Sequence, residues 1–387
     1  MSFEWLNEES RKFLSRGYLT EGQTPEDRVR HIANTAEQHL GIEGFADKFY
    51  DYMSRGYYSL ASPVWANYGL DRGLPVSCFG SYVGDSMEDI MFSHGENGML
   101  MKSGGGTSGY FGHVRHRGAP IKDNGESSGS VHFMELFDKL ASIVSQGSVR
   151  RGFFSAYQDI EHPDADEFLD VGTEGHPIQG LTTGIVVGDD FMKSVIKGDD
   201  AEKRRLWAKV LQRRAEVGYP YVLFSGNVNR DKPDVYRDND MQIYASNMCS
   251  EISLPSSIDE TFTCVLSSIN LLHWDEIVQT DAIETMVYFL DTVVTEFINK
   301  TEGLYYHQKA RKFAERHRAL GMGVLGWHSY LQSNMIAFES RDAAQKNLDI
   351  AKTLNERAYK ASAELAEKFG EPELLKGYGR RNTTLLA

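Results

Sequence analysis

Ser246-Asn247-Met248-Cys249-Ser250-Glu251 is the stretch on which the reading of this chain turns. In an extended backbone, residues two apart project to the same side. Asn247, Cys249 and Glu251 are therefore expected to share one face: an amide that can hydrogen-bond at two points, a thiol, and a carboxylate able to take a proton. Downstream, Cys264 sits in Phe262-Thr263-Cys264-Val265-Leu266-Ser267-Ser268-Ile269-Asn270-Leu271, an apolar, strand-like run that ends in polar residues. The remaining cysteine, Cys78, closes an extended segment whose approach is marked by Pro63 and Pro75.

Three cysteines are too few for a secreted disulfide scaffold and suit a reducing compartment. An odd number allows one pair to be oxidised while the third thiol stays free. By count alone they read as buried, inert thiols, so their neighbours must carry any case for chemistry. A structural zinc site is disfavoured, because closely spaced Cys-x2-4-Cys pairs are absent, and no metal is expected.

The surrounding chain is that of a soluble α/β protein. Its 387 residues allow two or three ordinary domains, or one large barrel with appendages. Hydrophobic residues make up 41% and charged residues 25%, with no apolar run of about 18 residues that could span a membrane. The start, Met1-Ser2-Phe3-Glu4-Trp5, lacks the pattern of a secretory signal, and a cytoplasmic location is expected. A net charge of -14 argues against a nucleic-acid-coating surface, although backbone N–H groups and a few arginines could still hold a nucleotide.

Residues 1–58 read as a helical region, with a helix start at Thr24-Pro25-Glu26-Asp27 and breaks at Gly41 and Gly44. Ser86-Met87-Glu88-Asp89 opens another helix, placing Met87, Ile90, Met91, His94 and Met101 on one face. Glycine and small polar residues make 103–130 a loop, followed by a helix over 131–144 and a second loop over 145–152. Residues 181–187 and 219–224 look like buried strands separated by a charged helix. Further helices are expected near 281–300, 306–319 and 341–369. The last carries Ala344, Leu348, Ala351, Leu354, Ala358, Ala361 and Leu365 at helical spacing, with Gly370 and Pro372 as its stop.

Taken together, the motifs resemble those of the ribonucleotide reductase catalytic subunits. Asn247-Met248-Cys249-Ser250-Glu251 is similar to the family's Asn-x-Cys-x-Glu finger loop. Cys264 with Leu266-Ser267-Ser268-Ile269-Asn270-Leu271 resembles its second redox cysteine, and Ser77-Cys78-Phe79 followed by Gly84-Asp85-Ser86 its first redox cysteine and effector helix. The resemblance implies that Cys249 is the thiyl-radical cysteine, Glu251 the base for the 3′-hydroxyl, and Asn247 the amide that orients the sugar. It further implies that Cys78 and Cys264 supply two electrons and become a disulfide. Ser62 and Ser77 match substrate contacts, as do Asn247 and Glu251. Asp85 and Arg115 match effector contacts, while Gln146 and Arg150 match the loop that relays effector identity. Lys102-Ser103-Gly104-Gly105-Gly106-Thr107-Ser108-Gly109 is not a Walker A motif, and corresponds to a barrel strand and loop.

The implied fold is the family's ten-stranded α/β barrel over 59–387, two parallel five-stranded halves joined antiparallel, with the finger loop at the centre. By the same resemblance the chain starts without an ATP-cone. Gly379-Arg380-Arg381-Asn382-Thr383-Thr384-Leu385-Leu386-Ala387 is similar to the strand leading into the family's phosphate-binding turn, which does not follow. The expectation is a class I-like subunit that binds no cofactor itself, receives its radical from a separate small subunit, and is silent without a C-terminal complementing fragment. The implied partners are a ribonucleoside di- or triphosphate, a dNTP or ATP effector, a thioredoxin- or glutaredoxin-type reductant and a second copy of the chain. The alternatives are an adenosylcobalamin-dependent class II enzyme, or an effector-binding half inactive without a second polypeptide.

Overall fold

The computed structural model describes residues 3–386; Met1, Ser2 and Ala387 lie outside the described residues. The chain divides into two compact units, one of Cys78–Thr263 with Gly303–Lys312, the other of Met1–Ser77, Cys264–Glu302 and Phe313–Ala387.

The first unit is built on five parallel strands that neighbour one another in chain order: Cys78–Tyr82, Gly106–Tyr110, Phe154–Asp159, Thr182–Val187 and Tyr221–Phe224. Parallel neighbours need crossovers. These are supplied by the helices Met87–Lys102, Ser130–Ile143, Asp189–Lys197 and Ala201–Val217, with the short Ala165–Phe168 turn of helix. Alternation along Phe154–Asp159 assigns the two faces. Phe154 and Ala156 join Phe111, Phe137 and Ile185 in the apolar core against the helices, whereas Ser155 and Tyr157 point to the opposite face.

Gly106–Tyr110 falls inside the stretch whose composition reads as loop. It is a strand because its small residues are what neighbouring rings require: a Cβ on Gly109 would lie 2.7 Å from Phe154 Cζ. Closely packed aromatic neighbours thus override the glycine signal. The 145–152 loop is likewise a hairpin, with Gln146 paired to Arg150. Ser86 caps the Met87–Lys102 helix through Asp89 N–H, as expected. Its predicted apolar face divides, however, with Ile90 and Met101 buried while Met87 and Met91 are about half exposed.

In the second unit, Tyr58–Leu60 runs antiparallel and Leu320–Leu325 parallel to the strand Phe262–Asn270. Thr24 and Asp27 form the capping box of Pro25–Leu40, which ends at Gly41 in the left-handed region. The predicted stripe of Arg341–Phe369 holds from Leu354 to Leu365, but its first half buries Ala343 and Ile350 and leaves Leu348 exposed. In place of the strand expected near the end of the chain there is an isolated parallel bridge between Met322 and Leu386, beside which Leu320 and Met322 N–H donate to the Thr384 and Leu385 carbonyls. Asp291, fully inside this unit, accepts from Arg318 and Arg381.

Candidate active site

The segment carrying Cys249 lies on the face of the parallel sheet away from the helices. Three side chains that point to that face hold it by its carbonyls: Ser108 Oγ donates to Ser246 O at 2.8 Å, Tyr157 Oη to Asn247 O at 2.8 Å, and Ser155 Oγ to Met248 O at 3.2 Å. Tyr157 reaches across because position 184 is glycine; a Cβ there would stand 2.2 Å from its ring.

Asn247-Met248-Cys249-Ser250 is a turn, closed by Ser250 N–H donating to Asn247 O at 3.1 Å, with Ser250 at φ 68°. The expectation of an extended strand with Asn247, Cys249 and Glu251 on one face is therefore corrected. The turn separates them: Asn247 is fully buried, while Cys249 and Glu251 are exposed beyond it. What unites the group is the Asn247 amide. Its Oδ1 accepts from Glu251 N–H and Ile252 N–H, both at 3.1 Å, and from Ser246 Oγ at 3.2 Å. Its Nδ2 donates to Cys78 Sγ at 3.4 Å. One side chain thus closes the turn and binds the sulfur at the start of the first strand.

The two thiols differ in environment. Burial pushes Cys78 up to about 12, against the Asn247 hydrogen bond and the Arg150 charge, with Glu251 adding to the rise. Cys249 is raised more modestly, by partial burial and by Glu251, again opposed by Arg150. Both stay protonated thiols near neutral pH, the form from which a hydrogen atom rather than a thiolate is delivered. Arg150 was singled out for its loop; that its charge reaches both cysteines is visible only in the fold. Ser155 and Tyr157 were not singled out by the sequence, and Ser108 only as part of a barrel strand and loop, although the alternation of small and aromatic residues in Ser108-x-Tyr110 and Ser155-x-Tyr157 was a signal that one strand face serves a purpose.

Asp85 and Arg115 are brought together: the carboxylate accepts from Arg115 N–H at 2.7 Å and from Nε at 3.0 and 3.1 Å. Cys264 is buried in its strand in the second unit, where Ser77 is also buried and Ser62 is exposed at the start of the Ser62–Asn67 helix. Among the described residues, no cluster of three histidine, cysteine or acidic side chains is placed to hold a metal ion.

Comparison with known proteins places the chain as a whole. Residues 76–203 and 196–383 match the ribonucleotide reductase barrel domain, and residues 4–73 the ribonucleotide reductase all-alpha domain. The chain belongs to the ribonucleotide reductase family. A solved Actinobacillus ureae class Id ribonucleotide reductase alpha subunit superimposes with a TM-score of 0.95 at 58% identity, covering 100% of this chain and 72% of that one. The fold is accordingly the α/β barrel of ribonucleotide reductases. A Frog virus 3 (isolate Goorha) protein named for the ribonucleoside-diphosphate reductase large subunit is 34% identical over 372 residues, 91% of this chain and 65% of its own length. The Bacillus subtilis ribonucleoside-diphosphate reductase subunit alpha is 27% identical over 84% of this chain and 54% of its own. The chain thus spans 65% or less of the length of these two relatives.

Proposed function

We propose that these 387 residues carry the radical and effector chemistry of a ribonucleotide reductase catalytic subunit, which reduces ribonucleotides to deoxyribonucleotides for DNA synthesis. The observation that carries the reading is the Asn247 amide, which closes the turn bearing Cys249 while binding Cys78. In this reading Cys249, as a thiyl radical, takes the 3′-hydrogen atom of the substrate, and Glu251 takes the 3′-hydroxyl proton. The 2′-hydroxyl leaves as water with a proton from the Cys78 and Cys264 pair. That pair gives up two electrons and becomes a disulfide, and Cys249 returns a hydrogen atom to C3′. Ser62 and Ser77 contact the substrate. Asp85, Arg115, Gln146 and Arg150 serve a dNTP or ATP effector.

The class I form of the reaction is favoured over an adenosylcobalamin-dependent one by the 58% identity to an alpha subunit named as class Id. The radical then comes from a separate small subunit, and no cofactor is bound by this chain. Reductant of thioredoxin or glutaredoxin type, a second copy of the chain, and a polypeptide carrying the phosphate-binding turn complete the set of partners. A helical region over 1–58 preceding a barrel region over 59–387 is the domain order that this reading uses, and a cytoplasmic setting suits its reduced thiols. The test is reconstitution of the chain with the portion that relatives carry beyond the matched residues, a radical-generating small subunit, a dithiol and a ribonucleoside diphosphate. Deoxynucleotide should form, and Cys249→Ser should abolish it. Unchanged turnover by Cys249→Ser would overturn the assignment.

A further inference from the structure

We propose that Asn97, Ser81 and Ser108 form a positioning relay that sets the Cys249 turn from the Met87–Lys102 helix; it rests on the roles read above for Cys249 and Cys78. The relay is a line of hydrogen bonds through the sheet. From the helix, Asn97 Nδ2 donates to Ser81 Oγ at 3.0 Å, and also to Ser93 O at 2.7 Å. Ser81 Oγ donates across to Ser108 O at 3.0 Å. Ser108 Oγ donates to Ser246 O at 2.8 Å, with a longer contact of 3.3 Å to Phe79 O. Ser246 Oγ donates to Ile252 O at 2.6 Å and to Asn247 Oδ1 at 3.2 Å, and Asn247 Nδ2 ends the line on Cys78 Sγ.

Every polar member is buried, with Asn97, Ser81, Ser108, Ser246 and Asn247 each at 2% exposure or less. Polar pairs of this kind, replaced on both sides by apolar groups of the same shape, cost a core little. What an apolar core lacks is direction. Hydroxyl and amide groups bond along preferred directions, and the bonds linked here restrict the position of the group they reach, with Asn97 Oδ1 left without a hydrogen-bond partner. For the three relay residues that group is the Ser246 carbonyl, immediately before Asn247. The same helix also holds the far side of the cysteine segment, because Thr261 Oγ1 donates to Glu96 Oε2 at 2.8 Å. Adjacent helix residues, Glu96 and Asn97, therefore govern where the segment enters and where it leaves. None of the three relay residues reaches the reacting atoms; they act through Ser246 and Asn247.

The experiment reads alkylation of buried Cys78 by iodoacetamide in the full 387-residue chain at mildly alkaline pH, followed by peptide mass spectrometry. Local opening of the turn controls that rate. Ser108→Ala should accelerate labelling about tenfold, the worth of one hydrogen bond to a buried carbonyl. Asn97→Ala and Ser81→Ala should act in the same direction, and Ser108→Thr, which keeps the hydroxyl, should restore the wild-type rate. Val210→Ala, a core defect in the Ala201–Val217 helix matched for thermal stability, should not accelerate it. Because the relay is in series, Asn97→Ala combined with Ser108→Ala should fall short of the product of the two effects. Equal acceleration by Val210→Ala, no acceleration by Ser108→Ala, or fully multiplicative effects would each overturn the relay. Should Ser108→Ala not fold, Asn97→Ala at the helix end gives the same reading. Labelling requires no turnover. A chain that makes no deoxynucleotide in the complete reconstitution yet shows this pattern loses the reductase reading and keeps the relay, and the reverse result removes the relay alone.

Discussion

Asn247 Nδ2 donates to Cys78 Sγ at 3.4 Å while Oδ1 of the same amide accepts two backbone N–H groups of the following turn. The two residues are 169 apart in the chain, and this single amide makes the buried thiol and the turn one object. The arrangement holds the Cys78 sulfur beside the base of the turn that presents Cys249. It keeps the sulfur protonated, because burial outweighs the N–H donor.

That difference in environment predicts an order of reactivity. Iodoacetamide at mildly alkaline pH should modify exposed Cys249 well before Cys78, since the thiolate is the nucleophile and Cys78 is both buried and pushed up to about 12. Mild oxidation should instead yield a crosslinked Cys78–Cys264 peptide and leave Cys249 free. A dominant crosslink through Cys249, seen by mass spectrometry, would reverse the proposed roles.

Asp85 should matter for ligand far more than for stability. Its pair with Arg115 is more than a third exposed on both sides, at 37% and 38%, a setting in which an ion pair contributes less than about 1 kcal/mol. Asp85→Ala is expected to leave the melting temperature nearly unchanged and to weaken dATP or dTTP binding at least about tenfold by calorimetry, on the order of one lost charge-assisted contact. Equal binding by the variant and the wild type would remove Asp85 from the effector site.

Asp291 should behave in the opposite way. Burial works against its charge, but Arg318 and Arg381 together overcome that and hold the carboxyl below its ordinary range. Asp291→Asn should destabilise the protein by about 3–5 kcal/mol, because two guanidinium groups lose their buried counter-charge. A depressed carboxyl contributes stability above its unfolded value and loses it as pH falls. The wild type should therefore weaken in acid by urea melts, with a gentler acid limb in Asp291→Asn.

Glu96 supplies a pH dependence of the other sign. Burial pushes its carboxyl from 4.5 up to about 7, partly offset by Thr261 and Lys309. The folded state then binds the proton more tightly than the unfolded chain, so this contribution is full below the unfolded value and is lost as pH rises from 4.5 through about 7. The difference amounts to about 3 kcal/mol. Glu96→Gln, which can still accept from Thr261, should flatten stability across that window in urea melts at several pH values. An unchanged slope would show that Glu96 is not its source.

Much of this was legible in the residues themselves. Thr24-Pro25-Glu26-Asp27 determined a helix start because capping chemistry is local, and Ser86 did the same for the helix that follows Asp85. The three cysteines with their neighbours determined the family, since side-chain chemistry is written directly in the sequence. Conformation at the cysteine motif was not. Two-residue periodicity suggested an extended Asn247, Cys249 and Glu251, but three carbonyls gripped by Ser108, Ser155 and Tyr157 bend the segment into a turn. Gly106–Tyr110 is a central strand for a similar reason: the rings that need its small side chains come from residues remote in sequence.

By itself the sequence determined the chemistry available to this protein: three thiols, an amide, a carboxylate, and the caps that begin and end its helices. Those properties depend on residues within a few positions of one another. Only the tertiary structure decided which groups meet. It pinned Asn247 to Cys78, let the Arg150 charge act on two thiols, and threaded a buried polar line from Asn97 to Ser246. Those relationships join residues tens to more than a hundred positions apart, and no local propensity encodes them; they follow from strand register and from the need of every buried donor to find an acceptor.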